Sequence, residues 1–164
     1  CSSAASWSST MRPDARSNAL VLAGSAALLG GALLSQFVGG LFPCEMCYWQ
    51  RWPHLAAIAL GLLAWALGSN RALTALAAIA VLVSGAIGVF HAGVEYHWWE
   101  GVTTCTAAPI TGSTSEVLGS IMATPLIRCD AAQWTLFGIS LAGYNAILSG
   151  LIGGGALWLL RKPR

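Results

Sequence analysis

The stretch ALVLAGSAALLGGALLSQFVGGLFPCEMC, residues 19–47, decides the fold of this chain. From Ala19 to Phe42 it contains no charged side chain, and it is long enough to cross a bilayer as a helix, which takes about 20 apolar residues. The apolar part is also longer than the hydrophobic core of a cleavable signal peptide. We therefore predict a retained membrane-spanning helix, followed by a turn over residues 43–47 at one membrane surface.

Three further apolar runs follow, at about residues 48–67, 72–94 and 134–160. The whole chain is 56% hydrophobic and only 9% charged, whereas an ordinary soluble domain is about 25% charged. A core of this size cannot hide so much apolar surface from water, so lipid must be the solvent for much of it. The predicted fold class is all-α: one integral membrane four-helix bundle, residues 18–164, after a flexible cytoplasmic tail at residues 1–17.

The predicted outer loops are residues 43–47 and 95–133. In the longer loop, Ser113 and Glu116 have the spacing of a capping box, and apolar residues follow at helical spacing over 117–122. This pattern predicts one short amphipathic helix that lies on the membrane surface.

The basic residues predict the orientation of the bundle in the membrane. Six of the eight Lys and Arg residues lie on one side, and Arg51 and Arg128 lie on the other. The six are Arg12, Arg16, Arg71, Arg161, Lys162 and Arg164. Basic residues concentrate in the cytoplasm, so both termini are predicted to be cytoplasmic and the outer loops periplasmic in a bacterium. A net charge of +2 without a basic stripe argues against a nucleic-acid binder.

The orientation divides the five cysteines between two compartments. Cys44, Cys47, Cys105 and Cys129 fall on the outer side, and Cys1 falls on the cytoplasmic side. The outer four therefore lie where disulfides form and persist.

Cys44 and Cys47 form a C-x-x-C pair beside the predicted start of the second helix. The partial positive charge of a helix N-terminus favours a thiolate, and Arg51 lies four residues after Cys47, on the same helix face. Cys105 and Cys129 lie in the long loop, where a thiolate of another protein can reach a disulfide. Two pairs with different exposure indicate a redox relay.

Two other uses of the cysteines remain as alternatives. The four outer cysteines, with His91 or His97, are a possible zinc set, but Cys105 and Cys129 do not form a second C-x-x-C knuckle. Purely structural disulfides are the other alternative, although a C-x-x-C disulfide closes almost no chain and so stabilises little. We predict redox use and no metal.

The motif Cys44-Glu-Met-Cys47-Tyr-Trp-Gln-Arg51, placed after a first membrane helix, resembles the bacterial DsbB family of disulfide-bond formation proteins. The segment Arg128-Cys129-Asp130, with Trp134 before the last helix, extends the resemblance, which covers nearly all of residues 18–160. It implies a four-helix bundle with a quinone at its outer edge.

The resemblance also implies an activity and its partners. Such proteins reoxidise the soluble periplasmic oxidant DsbA and pass the electrons to ubiquinone or menaquinone in the membrane. By position, Cys105 is attacked by the DsbA thiolate and Cys129 exchanges with Cys44. Cys47, freed as a thiolate, then reacts with the quinone or donates charge to it.

Two further site residues follow from the resemblance. Arg51 stabilises the thiolate and the reduced quinone oxygen, and His91 resembles the family's quinone-contacting histidine, with His97 as the alternative. Two other functions stay open: an enzyme resembling vitamin K epoxide reductase, in which the C-x-x-C comes late in the bundle, and a membrane scaffold or assembly factor with structural disulfides.

Overall fold

A computed structural model describes residues 13–102 and 128–163 of the chain. The predicted amphipathic helix, Cys105 and residues 1–12 of the predicted tail lie outside the described residues. The described part contains four long helices and one short β-hairpin. The helices are α1 (Pro13–Phe37), α2 (Glu45–Ala66), α3 (Arg71–Glu95) and α4 (Leu141–Arg161). The hairpin strands are β1 (Thr135–Leu136) and β2 (Ile139–Ser140).

The helices have the length and composition of membrane spans. α1, α3 and α4 are long and apolar enough to cross a bilayer. α2 has a similar length of 22 residues, but its first three turns carry the polar side chains of Gln50, Arg51 and His54. The predicted all-α membrane bundle is confirmed, with the polar side chains of α2 facing a site inside it.

α1 begins earlier and ends earlier than predicted. Pro13 suits the first position of a helix, where its missing N–H is not needed, and Asp14 in the first turn complements the helix dipole. Ser17 is buried and donates a hydrogen bond to the carbonyl of Ala156 (2.9 Å), so a flexible tail reaching residue 17 is wrong for residues 13–17. At the other end the helix stops at Phe37 instead of Phe42, because Gly40 takes a positive φ of 67°.

α2 begins at Glu45, with Cys44 as its N-cap residue in extended conformation. The predicted start was Tyr48, so the observed helix places Cys47 inside the first turn instead of before it. Pro53 lies inside the helix, where it lacks the N–H that would bond to the carbonyl four residues earlier.

The last helix begins at Leu141, not at Trp134 as predicted. The intervening residues form the β1–β2 hairpin, whose two central residues, Phe137 and Gly138, both have positive φ (50° and 76°), as a tight hairpin turn requires. The Tyr96 hydroxyl donates to the carbonyl of Gly138 and accepts from the N–H of Ser140, at 2.9 Å each. The hairpin is thereby attached to the end of α3.

Small residues let the helix backbones approach closely, as is common in lipid. A Cβ atom on Gly88 of α3 would lie 3.0 Å from the carbonyl oxygen of Ala142 in α4. One on Gly153 would lie 2.9 Å from the carbonyl oxygen of Ala78. Because these contacts hold α3 against α4, polar side chains of both helices come within hydrogen-bonding distance of each other.

Candidate redox site

The C-x-x-C pair lies at the N-terminus of α2. The Sγ atoms of Cys44 and Cys47 are 3.0 Å apart, which is hydrogen-bonding contact and longer than the covalent S–S bond of about 2.05 Å. The structure therefore describes the dithiol form. The hydrogen bond to Cys47, together with burial, raises the pKa of the Cys44 thiol to about 12. Cys44 accordingly keeps its proton at neutral pH, and Cys47 is the sulfur that accepts the hydrogen bond.

His91 of α3 completes this cluster. Its Nε2 lies 3.5 Å from Cys44 Sγ and 3.7 Å from Oε1 of Glu95, and its ring is 2% exposed. His97, the alternative, lies beyond the end of α3 with an exposed side chain and a φ of 59°. The structure thus brings His91, and not His97, to the cysteine pair.

A chain of buried amides continues from His91 into the bundle. Gln50 Nε2 lies 2.8 Å from His91 Nδ1, and Gln50 Oε1 accepts a hydrogen bond from Asn145 Nδ2 at 2.8 Å. Asn145 Oδ1 in turn lies 3.0 Å from His54 Nε2. Side chains of α2, α3 and α4 are therefore hydrogen-bonded directly to one another. Sequence reasoning missed Gln50 and Asn145; the available signal was an uncharged amide inside an apolar run, where polar groups are costly.

Arg51 contacts α1 instead of a cysteine sulfur. Its guanidinium donates to Gln36 Oε1 (2.6 Å) and to the carbonyl of Ala32 (3.3 Å), and it lies over the Tyr48 ring at 5.2 Å from the centroid. It is still close enough to Cys47 for their charges to interact. Arg51 therefore supplies positive charge beside the cysteine pair while it holds α1 against α2.

Cys129 packs against the same cluster from the loop before the hairpin. It is 4% exposed, as is Cys44, and both lie in one apolar cluster with Met46 and Val94. The structure thus brings three of the four predicted cysteines together, and the fourth, Cys105, lies outside the described residues.

The residues on either side of Cys129 form a charged clamp. Arg128 donates two hydrogen bonds to the carboxylate of Asp130, at 2.8 and 2.5 Å. These bonds lower the pKa of Asp130 to about 2, so the pair stays charged at any ordinary pH. The clamp shapes the exposed turn that carries the buried Cys129 side chain.

A cavity of about 400 Å³ opens beside the cysteine pair. One part of its wall is polar and includes Cys47, Arg51, His91 and Glu95. The rest is largely apolar and comes from α1, α4 and the loops between them. Its apolar residues include Leu28, Leu41, Phe42, Leu141 and Leu148. Its size and its few polar groups on one side are typical of a small-molecule site.

The zinc alternative has a partial basis in this geometry. The sulfurs of Cys44 and Cys47 and a ring nitrogen of His91 all lie within 4.8 Å of one another. Two thiolates on one tetrahedral zinc, at about 2.3 Å each, lie about 3.8 Å apart. The observed separation of 3.0 Å is shorter, and it favours a hydrogen-bonded thiol pair.

A buried dithiol at the start of a membrane helix, beside an apolar cavity, defines a membrane-embedded thiol–disulfide redox protein. The family model described as "Disulfide bond formation protein DsbB" matches residues 14–159. The chain belongs to the DsbB family, which confirms the resemblance carried by Cys44–Arg51. It is accordingly an inner-membrane oxidoreductase with a role in disulfide bond formation.

Two of three similar relatives carry the same description. A disulfide bond formation protein B of Polaromonas naphthalenivorans is 31% identical over 152 residues, covering 88% of this chain and 89% of the relative. One of Verminephrobacter eiseniae is 29% identical over 152 residues, covering 90% and 86%. An uncharacterized protein of Rickettsia prowazekii is 24% identical over 136 residues, covering 80% and 79%. No solved structure matches the chain.

Proposed function

We propose that this protein oxidises a DsbA-like dithiol protein in the periplasm and transfers the electrons to ubiquinone or menaquinone in the membrane. The observation that carries the proposal is the position of the Cys44–Cys47 dithiol in the wall of the cavity. The excess of basic residues on the opposite side supports periplasmic cysteines and cytoplasmic termini. The family assignment favours this function over the scaffold and the vitamin K epoxide reductase-like alternatives.

The cavity fits a quinone head group. Its apolar walls suit a ring with an isoprenoid tail, and Arg51 can donate to a carbonyl oxygen at the polar side. Oε2 of Glu95 is buried without a hydrogen-bond partner among the described residues, so a polar group is still needed there. A bound quinone supplies the oxidising equivalent, since it takes up two electrons and two protons for each disulfide formed.

The proposed relay begins at the loop disulfide between Cys105 and Cys129. A thiolate of the partner attacks Cys105, and Cys129 leaves as a thiolate. Cys129 then attacks Cys44 of the Cys44–Cys47 disulfide, which frees Cys47. The shared apolar cluster of Cys44 and Cys129 supports this exchange, because the two side chains are already packed together.

The loop disulfide is restored by thiol–disulfide exchange alone, without a further oxidant. The partner's second thiolate forms the partner disulfide and frees Cys105, which attacks Cys129 and restores the loop disulfide. Cys44 and Cys47 are left as the dithiol that the structure describes. Their reoxidation releases the two electrons and two protons taken from the partner. Cys47 is the sulfur that accepts the hydrogen bond in this pair, since Cys44 holds its proton.

The test uses the purified chain in lipid nanodiscs with a reduced dithiol protein and added quinone. We expect loss of partner thiols and formation of quinol in equal amounts. Cys44→Ser and Cys47→Ser should abolish turnover, because each removes one half of the disulfide, while circular dichroism shows unchanged helix content. Thr74→Val is a matched control, since that hydroxyl donates to the carbonyl of Asn70 at the start of α3 and does not line the cavity. Absence of quinol in the wild type, or normal turnover in either cysteine variant, would exclude the relay.

A further inference from the structure

The hydrogen bonds around Asn145 determine which way its amide points. Its Nδ2 lies 3.2 Å from the backbone carbonyl of Ser84, and a carbonyl only accepts, so the atom there must be the NH₂ group. The Ser84 hydroxyl agrees with this orientation. It donates its one proton to the carbonyl of Gln50 (2.8 Å), and so it accepts from Asn145 Nδ2 at 3.1 Å. Oδ1 of Asn145 is left to accept from the Ser149 hydroxyl at 3.0 Å.

The orientation of Asn145 determines that of Gln50. Asn145 Nδ2 donates to Gln50 Oε1, so the other end of the Gln50 amide is its NH₂ group. That group donates one proton to the carbonyl of Met46 at 3.2 Å, again a pure acceptor. Its second proton points at Nδ1 of His91, 2.8 Å away. The backbone carbonyls of Ser84 and Met46 therefore independently require the same hydrogen-bond direction, in which Asn145 donates to Gln50 and Gln50 donates to His91.

The Gln50 amide in turn determines the tautomer of His91. A proton on Nδ1 would face the NH₂ group of Gln50, so Nδ1 is an unprotonated acceptor and the ring carries its proton on Nε2. That nitrogen is the one that faces Cys44 Sγ and Glu95 Oε1. An imidazolium is disfavoured for the same reason. A metal at Nε2 is disfavoured too, because it would move the proton to Nδ1.

We infer that Gln50 and Asn145 are positioning residues that hold His91 as the Nε2–H tautomer, with its donor directed at Cys44. The inference rests on the proposed function for its consequence. His91 donates towards Cys44, and the Cys44 thiol donates to Cys47, so Cys47 is the final acceptor of the chain and the sulfur that reacts at the cavity. The charged or titratable groups around His91 are Cys44 and Cys47 of α2 and its cap, Glu95 of α3, and Cys129.

The tautomer is measurable directly, without quinone or partner. Protein with ¹⁵N-labelled histidine, in nanodiscs and in the dithiol form, gives ring-nitrogen shifts that separate protonated from unprotonated nitrogen. A His97→Gln variant removes the resonance of the exposed histidine and aids assignment. We expect an unprotonated Nδ1 and a protonated Nε2 for His91. A protonated Nδ1 in the wild type overturns the inference.

The Gln50→Glu variant should reverse the protonation of His91 Nδ1 while keeping the shape of the side chain at position 50. A carboxylate only accepts, so Nδ1 of His91 must gain a proton, and its resonance should shift to the protonated range. Gln36→Glu is the matched control, because that side chain accepts from Arg51 and does not contact His91; it should leave the resonance in place. An unchanged Nδ1 resonance in a folded Gln50→Glu protein also overturns the inference.

The pH dependence of quinone reduction distinguishes a positioning role of Gln50 from a purely stabilising one. Gln50→Glu should change the pH dependence of quinone reduction, because His91 becomes free to hold a second proton, and should add an ionisation absent from the wild type. Asn145→Asp should act in the same direction through Gln50, which loses its donor. Identical pH profiles in wild type and Gln50→Glu contradict the positioning role. A correct tautomer in a protein that reduces no quinone instead refutes the proposed function alone.

Discussion

The two ends of the bundle use buried polar side chains in different ways. At the end of the bundle where α1 begins and α4 ends, Ser17 and Asn18 of α1 each donate to a backbone carbonyl, of Ala156 and Gly61, at 2.9 Å. At the redox end, Gln50 and Asn145 bond mainly to other side chains. A bond to a backbone carbonyl holds two helices together whatever else is bound. A series of hydrogen-bonded side chains also determines which atoms donate and which accept at the group it ends on, which here is the cysteine pair.

The contacts of Arg51 and Arg71 show the same difference. Arg71 donates to the carbonyl of Leu160 and lies 3.6 Å from the Asp14 carboxylate, so it joins the ends of α1, α3 and α4. Arg51 joins α1 to α2 but also lines the cavity. We therefore expect Arg71 to matter for stability alone and Arg51 to matter for quinone binding as well.

The largest expected effect in this comparison is that of Arg51→Met. If Arg51 donates to the quinone as proposed, this change removes a charge-assisted hydrogen bond worth about 1.5–3 kcal/mol, and the KM for quinone should rise by about 10- to 100-fold. Arg71→Met should leave that KM unchanged and lower the free energy of unfolding by about 1–2 kcal/mol. The Arg71 side chain is 43% exposed, so the loss is smaller than for a fully buried pair. Quinone titrations measure the KM, and unfolding in denaturing detergent measures the free energy of unfolding. An unchanged KM in Arg51→Met would contradict the proposed contact between Arg51 and the quinone.

An intermediate effect is expected in the reactivity of the two sulfurs. The pKa of Cys44 is raised to about 12 and its side chain is 4% exposed, whereas Cys47 is half-buried and accepts the hydrogen bond. Iodoacetamide reacts with thiolates, so Cys47 should be alkylated before Cys44 at pH 7. Peptide mass spectrometry of the reduced protein over a pH series gives the order. Earlier alkylation of Cys44 would reverse the assigned roles.

The smallest effects are expected at the helix caps, one at each end of the bundle. Ser140 accepts from the N–H of Gly143 at 3.2 Å, and Asn70 accepts from the N–H of Leu73 at 3.1 Å. Replacement of either by Ala should lower the free energy of unfolding by about 1 kcal/mol. Turnover should stay near that of the wild type in Asn70→Ala, which lies far from the cavity. A large loss of activity in that variant would mean that the two ends are coupled.

Much of the fold follows from local sequence, and the errors have local causes. Long apolar runs predicted α1, α2 and α3, because hydropathy and length alone determine whether a helix can span lipid. The start of α4 was wrong, since apolar and aromatic residues at 134–140 fit a strand as well as a helix. The positive φ values of Phe137 and Gly138 resolve this in favour of a hairpin. The start of α1 was placed late because polar residues such as Ser17 and Asn18 conceal a helix whose polar face is buried.

The sequence by itself determined the membrane bundle, the C-x-x-C pair, the neighbouring Arg51 and the likeness to the DsbB family, since each depends on composition or short spacing. Tertiary structure alone brought His91, and not His97, to the cysteine pair, placed Cys129 beside Cys44, and joined Gln50 to Asn145. These contacts link residues far apart in the chain. They depend on how each helix is rotated and how closely small residues let the backbones approach, which no single helix determines for itself.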